Sequence, residues 1–110
     1  MVENVTASEL ADLLLADVDL VDVRDEREWL AGHVPGTRNI PLETLRADPD
    51  AYLAKTKAIV FVCARGVRSL TAAKLAERLG YAKVYNLDGG TQAWTKSGHS
   101  LSIEPVAHAA

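Results

Sequence analysis

The chain has 110 residues, with 15 acids against 12 bases for a net charge of −3, and 48% of its residues are hydrophobic. That length allows one domain and excludes two, and a chain of this size buries roughly two thirds of its unfolded surface and folds without cross-links. Its one cysteine excludes an internal disulfide and a tetracysteine zinc site, and its longest apolar run, Ala58 to Ala64, falls far short of the ~18 residues that cross a bilayer. We therefore expect a single domain over residues 1–110, with a core at about 4–98 and an irregular tail over 99–110. A lone cysteine and the lack of a basic leader at the N-terminus point to a cytoplasmic, soluble protein with no membrane partner.

Taken in chain order, Thr6 to Glu9 has the pattern of a capping box, and Leu10, Leu13 and Leu14 follow on one helical face. Asp19 to Arg24 reads as a strand. Asp25 to Ala31 reads as a short helix with acids in its first turn, closed by Gly32. Gly32 to Gly36 is a turn, and Thr37 to Ile40 a short strand stopped by Pro41. A helical stretch is expected over Pro49 to Lys55. Ala58 to Val62 is continuously apolar, the signature of a strand covered on both faces. Leu70 to Leu79 reads as a helix, with Leu75 and Leu79 one turn apart and Gly80 just past its end. Lys83 to Asn86 is another strand, Asp88 to Gly90 a turn, and Gly90 to Lys96 the last helix. This alternation predicts an α/β fold with a mostly parallel, five-stranded sheet and helices on both faces. Ligands of such sheets bind beyond the C-terminal ends of the strands.

Charge is uneven along the chain. Residues 1–56 carry −7, residues 57–83 carry +5 and residues 84–110 carry −1. The positive stretch has only Phe61 and Tyr81 as aromatics and sits in an acidic chain, which argues against a nucleic-acid partner. It does contain Cys63, at the end of the most apolar strand and just before a helix.

In Cys63-Ala64-Arg65-Gly66-Val67-Arg68-Ser69 a tight turn is required, and Gly66 permits a positive φ there. Successive N–H groups in such a turn form an anion nest, the following helix N-terminus adds partial positive charge, and Arg65 and Arg68 add full charges. Each favours thiolate over thiol, so the pKa of Cys63 is expected to fall. The plainer alternative, a small buried hydrophobe ending a core strand, leaves the glycine and the two arginines unexplained. Four residues separate Cys63 from Arg68, where cysteine phosphatases have five. The smaller ring suits one added sulfur atom better than a phosphoryl group. Gly66 at the second position excludes a CxxC redox pair.

Three segments together resemble the rhodanese domain family over roughly residues 4–98. They are Val21-Asp-Val-Arg24 with Glu28-Trp29 and Gly32-His-Val-Pro-Gly36, then Cys63 to Ser69, then Asn86-Leu-Asp-Gly-Gly90 with Trp94. The resemblance is to the small, single-domain, thiosulfate-using type. It implies a sulfurtransferase in which Cys63 attacks the outer sulfur of thiosulfate, becomes a persulfide and passes that sulfur to cyanide or a thiol. It implies substrate binding by Ala64, Arg65, Gly66, Val67, Arg68 and Ser69, a supporting role for Asp22 and Arg24, and no need of a metal or organic cofactor. One departure stands out: many single-domain members have arginine directly after the cysteine, where this chain has Ala64. Competing readings are a sulfur carrier serving a protein thiol, a non-catalytic binding module, and a phosphatase or arsenate reductase. Binding modules of this kind typically lose the cysteine, which is kept here.

The remaining candidates read as structural. His33 sits in a turn, Trp29 and Trp94 read as packing residues, and the spacing of His99 and His108 matches no metal site. Nucleotide-loop and serine-hydrolase motifs are absent.

Overall fold

The computed structural model describes residues 1–13 and 17–103. Within them, the elements in chain order are β1 (Glu3–Val5), α1 (Ala7–Leu13), β2 (Val18–Asp22), α2 (Glu26–Ala31), β3 (Arg38–Asn39), α3 (Leu42–Ala47), a 3-10 turn (Pro49–Ala51), β4 (Ala58–Val62), α4 (Val67–Arg78), β5 (Val84–Leu87) and α5 (Gly90–Lys96).

The sheet is built around β4. Its five residues pair with β2 on one side and β5 on the other, β3 flanks β2, and β1 flanks β5, giving the order β1-β5-β4-β2-β3 with every pairing parallel. Because side chains alternate across a strand, β4 feeds both cores. Ile59 and Phe61 pack with Ala72, Ala73 and Ala76 of α4 and Leu45 of α3. Val60 and Val62 pack on the other face with Leu10 of α1 and Trp94 of α5. The α/β sheet with helices on both faces therefore agrees with the sequence pattern. So does the capping box, where Thr6 N–H donates to Glu9 at 2.8 Å and Glu9 N–H to Thr6 Oγ1 at 3.1 Å.

Several elements differ from the expectation. Strand β2 stops at Asp22, because Val23 and Arg24 turn into the loop before α2. The three residues of β1 are too few to show alternation, and only pairing with β5 defines them. Helix α3 begins directly after Pro41, whose missing N–H suits a helix start. The helix expected over Pro49 to Lys55 shrinks to the 3-10 turn, held by a hydrogen bond from the Tyr81 hydroxyl to Asp50. Helix α4 starts three residues early, at Val67, and its buried face is Ser69, Ala72, Ala73 and Ala76, not the leucines. Leu75 is half-buried and Leu79 is 41% exposed. Leu14 and His108 lie outside the described residues.

Residues 97–103, after α5, have no regular element, yet they are anchored. The indole of Trp94 donates to the Ser100 carbonyl at 2.9 Å and stacks on His99, while Ser102 and His33 exchange backbone hydrogen bonds. No helix among the described residues is long and apolar enough to cross a membrane.

The assignment of the buried face of α4 is checked by chemical denaturation. Ala73→Leu is expected to destabilise the fold by about 1–3 kcal/mol through overpacking, and Leu79→Ala to change stability by no more than about 0.5 kcal/mol.

Candidate active site

Cys63 follows β4 directly, at the C-terminal edge of the sheet, and is 1% exposed. Its sulfur accepts from the N–H of Gly66 at 3.1 Å and the hydroxyl of Ser69 at 3.2 Å. Ser69 stands on the buried face of α4, so the helix itself carries the hydroxyl to the sulfur.

The orientation of the loop peptides is set from outside the loop. The Cys63 carbonyl accepts the N–H of Thr91 at 2.8 Å, and the Ala64 carbonyl accepts the N–H of Gln92 at 3.1 Å, both in the first turn of α5. A peptide's carbonyl and N–H point opposite ways in one plane. Drawing the Ala64 carbonyl toward α5 leaves the Arg65 N–H of the same peptide on the side of the sulfur, where it helps to lower the thiol pKa. The approach is so close that a Cβ on Gly90, at φ +60°, would stand 2.3 Å from the Cys63 carbonyl oxygen. Gly66, at φ +93°, makes the turn into α4, and its carbonyl accepts from the Asn86 side chain at 3.3 Å.

Burial pushes the Cys63 thiol up. The Ser69 hydroxyl and the backbone N–H groups of Ser69, Arg65 and Gly66 together outweigh it and hold the thiol below its ordinary value. The thiolate is thus favoured mainly by oriented dipoles.

The two arginines of the loop differ. Arg65 is exposed, and among the described residues its side chain makes no ion pair or hydrogen bond. Arg68 grips Glu28 of α2 with two hydrogen bonds of 2.8 and 3.0 Å. That bond to Glu28 raises the Arg68 pKa, and the bond to Arg68 lowers that of Glu28. Much of the Arg68 charge is thereby neutralised, and the pair ties α2 to the loop. Val67, by contrast, is 69% exposed at the loop's outer edge.

Asp22 and Arg24 do not reach Cys63. They form a buried ion pair of 2.9 Å, and Arg24 Nη2 also donates to the Gly32 carbonyl at 2.7 Å. Their role in the geometry is to hold the end of β2 to the turn after α2. His33 is fully buried, stacks on Trp29 at 3.9 Å and contacts the Trp29 carbonyl through Nδ1. Among the described residues no group of three His, Cys, Asp or Glu side chains is gathered as metal ligands would be. A cleft of about 420 Å³ lined by Val18, Lys57, Ala58 and Lys83 opens at the opposite end of the strands, away from Cys63.

Sequence reasoning assigned no role to Glu28, Asn86, Gly90 or Thr91. Asp25 and Glu28 do carry the spacing of a helix cap, and the N–H of Asp25 donates to Glu28 at 3.2 Å. Contacts of Glu28 with Arg68, forty positions away, and of Asn86 with Ser69 arise only from the packing of the elements.

The model of the rhodanese-like domain matches residues 6–97. The chain belongs to the rhodanese-like domain family. A rhodanese-related protein from Thermoplasma volcanium superimposes on it with a TM-score of 0.84 at 27% identity, covering 93% of this chain and 99% of that one. The human thiosulfate:glutathione sulfurtransferase is 36% identical over 105 residues, covering 83% of this chain and 91% of the relative. YqhL of Bacillus subtilis is 37% identical over 75 residues, or 68% of this chain, and that match covers 59% of its own length. This rhodanese-like chain thus has relatives that bear the name sulfurtransferase, and its Cys63 loop is the candidate active site.

Gly90→Ala tests the contact between α5 and the loop. Forcing a Cβ into that space at a positive φ is expected to destabilise the fold by about 1–3 kcal/mol. The alkylation rate of Cys63 at neutral pH should fall with it, as read by intact mass after timed exposure to iodoacetamide.

Proposed function

We propose that this protein is a thiosulfate sulfurtransferase that carries the transferred sulfur on Cys63. The observation that supports it most is the Cys63 sulfur, buried and met by the Gly66 N–H and the Ser69 hydroxyl, in a loop whose carbonyls are drawn outward. Such a site holds an anionic sulfur without using up a side-chain cation.

In the first step the Cys63 thiolate attacks the outer sulfur of thiosulfate. The new S–S bond forms as the old one breaks, and its electron pair leaves with sulfite. The negative charge then rests on the outer sulfur of the persulfide, above the loop amides, a stabilisation of the oxyanion-hole kind. In the second step cyanide or a thiol attacks that outer sulfur, and the electron pair of the S–S bond returns to Cys63 as thiolate. Two half-reactions through one covalent enzyme form give ping-pong kinetics. Ala64, Arg65, Gly66, Val67, Arg68 and Ser69 line the donor's approach. Arg65 is the loop cation free to meet an anionic donor, while Arg68 chiefly fixes the loop against Glu28. Asp22 and Arg24 brace the adjoining turn.

A protein thiol as acceptor is the second reading, and burial bears on it. Cys63 is 1% exposed, and an S–S bond of about 2 Å carries the reactive sulfur one atom beyond that buried position. A bulky acceptor would therefore meet only the loaded form.

Intact mass before and after treatment with thiosulfate, without reductant, tests the proposal. A gain of one sulfur atom is expected, absent in Cys63→Ser and erased by cyanide. No gain with thiosulfate, or an equal gain in Cys63→Ser, would contradict it.

A further inference from the structure

The Ser69 hydroxyl stands between two groups that each need its proton. Its oxygen is 3.2 Å from Cys63 Sγ and 2.5 Å from Asn86 Oδ1. A hydroxyl has a single proton to donate, so it serves one of them at a time. The Asn86 amide is not free to turn and offer a donor instead. Its Nδ2 donates to Asn4 Oδ1 at 3.0 Å and to the Gly66 carbonyl at 3.3 Å, and a turned amide would set its oxygen against that carbonyl. Ser69 is fully buried and Asn86 is 3% exposed, so an acceptor left without a proton there bears an uncompensated desolvation cost.

Two hydrogen-bond arrangements follow. With Cys63 as a thiol, the S–H donates to Ser69 and the Ser69 hydroxyl donates to Asn86, and every group is satisfied. With Cys63 as a thiolate, the sulfur takes the Ser69 proton, and two oxygens face each other with none between them. In the persulfide the charge lies one atom farther out, the inner sulfur is neutral, and the Ser69 proton can return to Asn86.

We propose that Asn86 is a positioning residue that competes with Cys63 for the Ser69 proton, disfavouring the bare thiolate relative to both the thiol and the persulfide. This deepens the reading of Cys63 as the sulfur carrier and rests on it for the persulfide arm. The bare thiolate is left less well solvated and so more nucleophilic, and it gains more by extending its chain. The competition is separate from the charges nearby. Arg68 of α4 lies near enough to interact with the thiolate and is tied to Glu28 of α2, with Asp25 beside it. Arg65 is exposed, and Asp22 and Arg24 are spent on each other. None of these hydrogen-bonds to Ser69 or Asn86.

The test is a double-mutant cycle read as the pH midpoint of Cys63 alkylation by iodoacetamide, a reaction that involves no thiosulfate. Asn86→Leu is expected to lower the midpoint by about half a pH unit or more. In a Ser69→Ala background the same substitution should leave it unmoved. Ser69→Ala alone is expected to raise the midpoint by less than about half a unit, because the bond the thiolate gains from Ser69 is offset by the one Asn86 loses. A folded Asn86→Leu protein with an unchanged or higher midpoint overturns the assignment. So does a rise of a full unit in Ser69→Ala alone, which stands even if Asn86→Leu does not fold. Should the cycle hold while thiosulfate leaves no persulfide, the role of Asn86 survives and the choice of donor is what fails.

Discussion

The rest of the site depends on the capture of two loop carbonyls by the first turn of α5. With the Cys63 and Ala64 carbonyls committed to Thr91 and Gln92, the first two peptides of the loop are held in place, and the Arg65 N–H is left on the side of the sulfur. The close approach of α5 requires that residue 90 have no side chain. A contact between the last helix and the end of the central strand thus decides the electrostatics of a cysteine some thirty positions earlier in the chain.

This arrangement explains how a buried thiol comes to lie below its ordinary pKa. Burial alone works the other way, and a nearby cation is the usual remedy. Here the nearer arginine, Arg68, is largely neutralised by Glu28, and Arg65 reaches into solvent. The work falls to fixed dipoles, which need no reorganisation when the charge appears or moves. A site of this kind suits a reaction in which negative charge shifts from one sulfur to the next without leaving the loop. The Asn86 and Ser69 side chains, on β5 and α4, extend the same principle with one mobile proton.

Much of the fold was legible because it rests on local pattern. The apolar run of β4 and the extent of α5 match their sequence signals residue for residue, and the glycines at 66 and 90 marked the turns. What escaped was set by long-range contacts. Strand β1 exists only by pairing with β5, and the short helix α3 gave no amphipathic period. Leu75 and Leu79 drew attention on α4, yet the sheet packs on its alanines and leaves Leu79 in solvent. In the site, Cys63 and its loop could be read from residue types and spacing. The pairing of Arg68 with Glu28, a contact forty residues apart, could not be read there. Asn86 was visible only as part of a family pattern, because its partners come from other elements.

The central claim is that the loop amides hold the anionic outer sulfur of a Cys63 persulfide. A crystal structure of the protein treated with thiosulfate tests it most directly. The account places the added sulfur within hydrogen-bonding distance of the N–H groups of residues 65–69. An added sulfur directed out of the loop into solvent, or crystals in which Cys63 alone stays unmodified while other groups bind the donor, would contradict it.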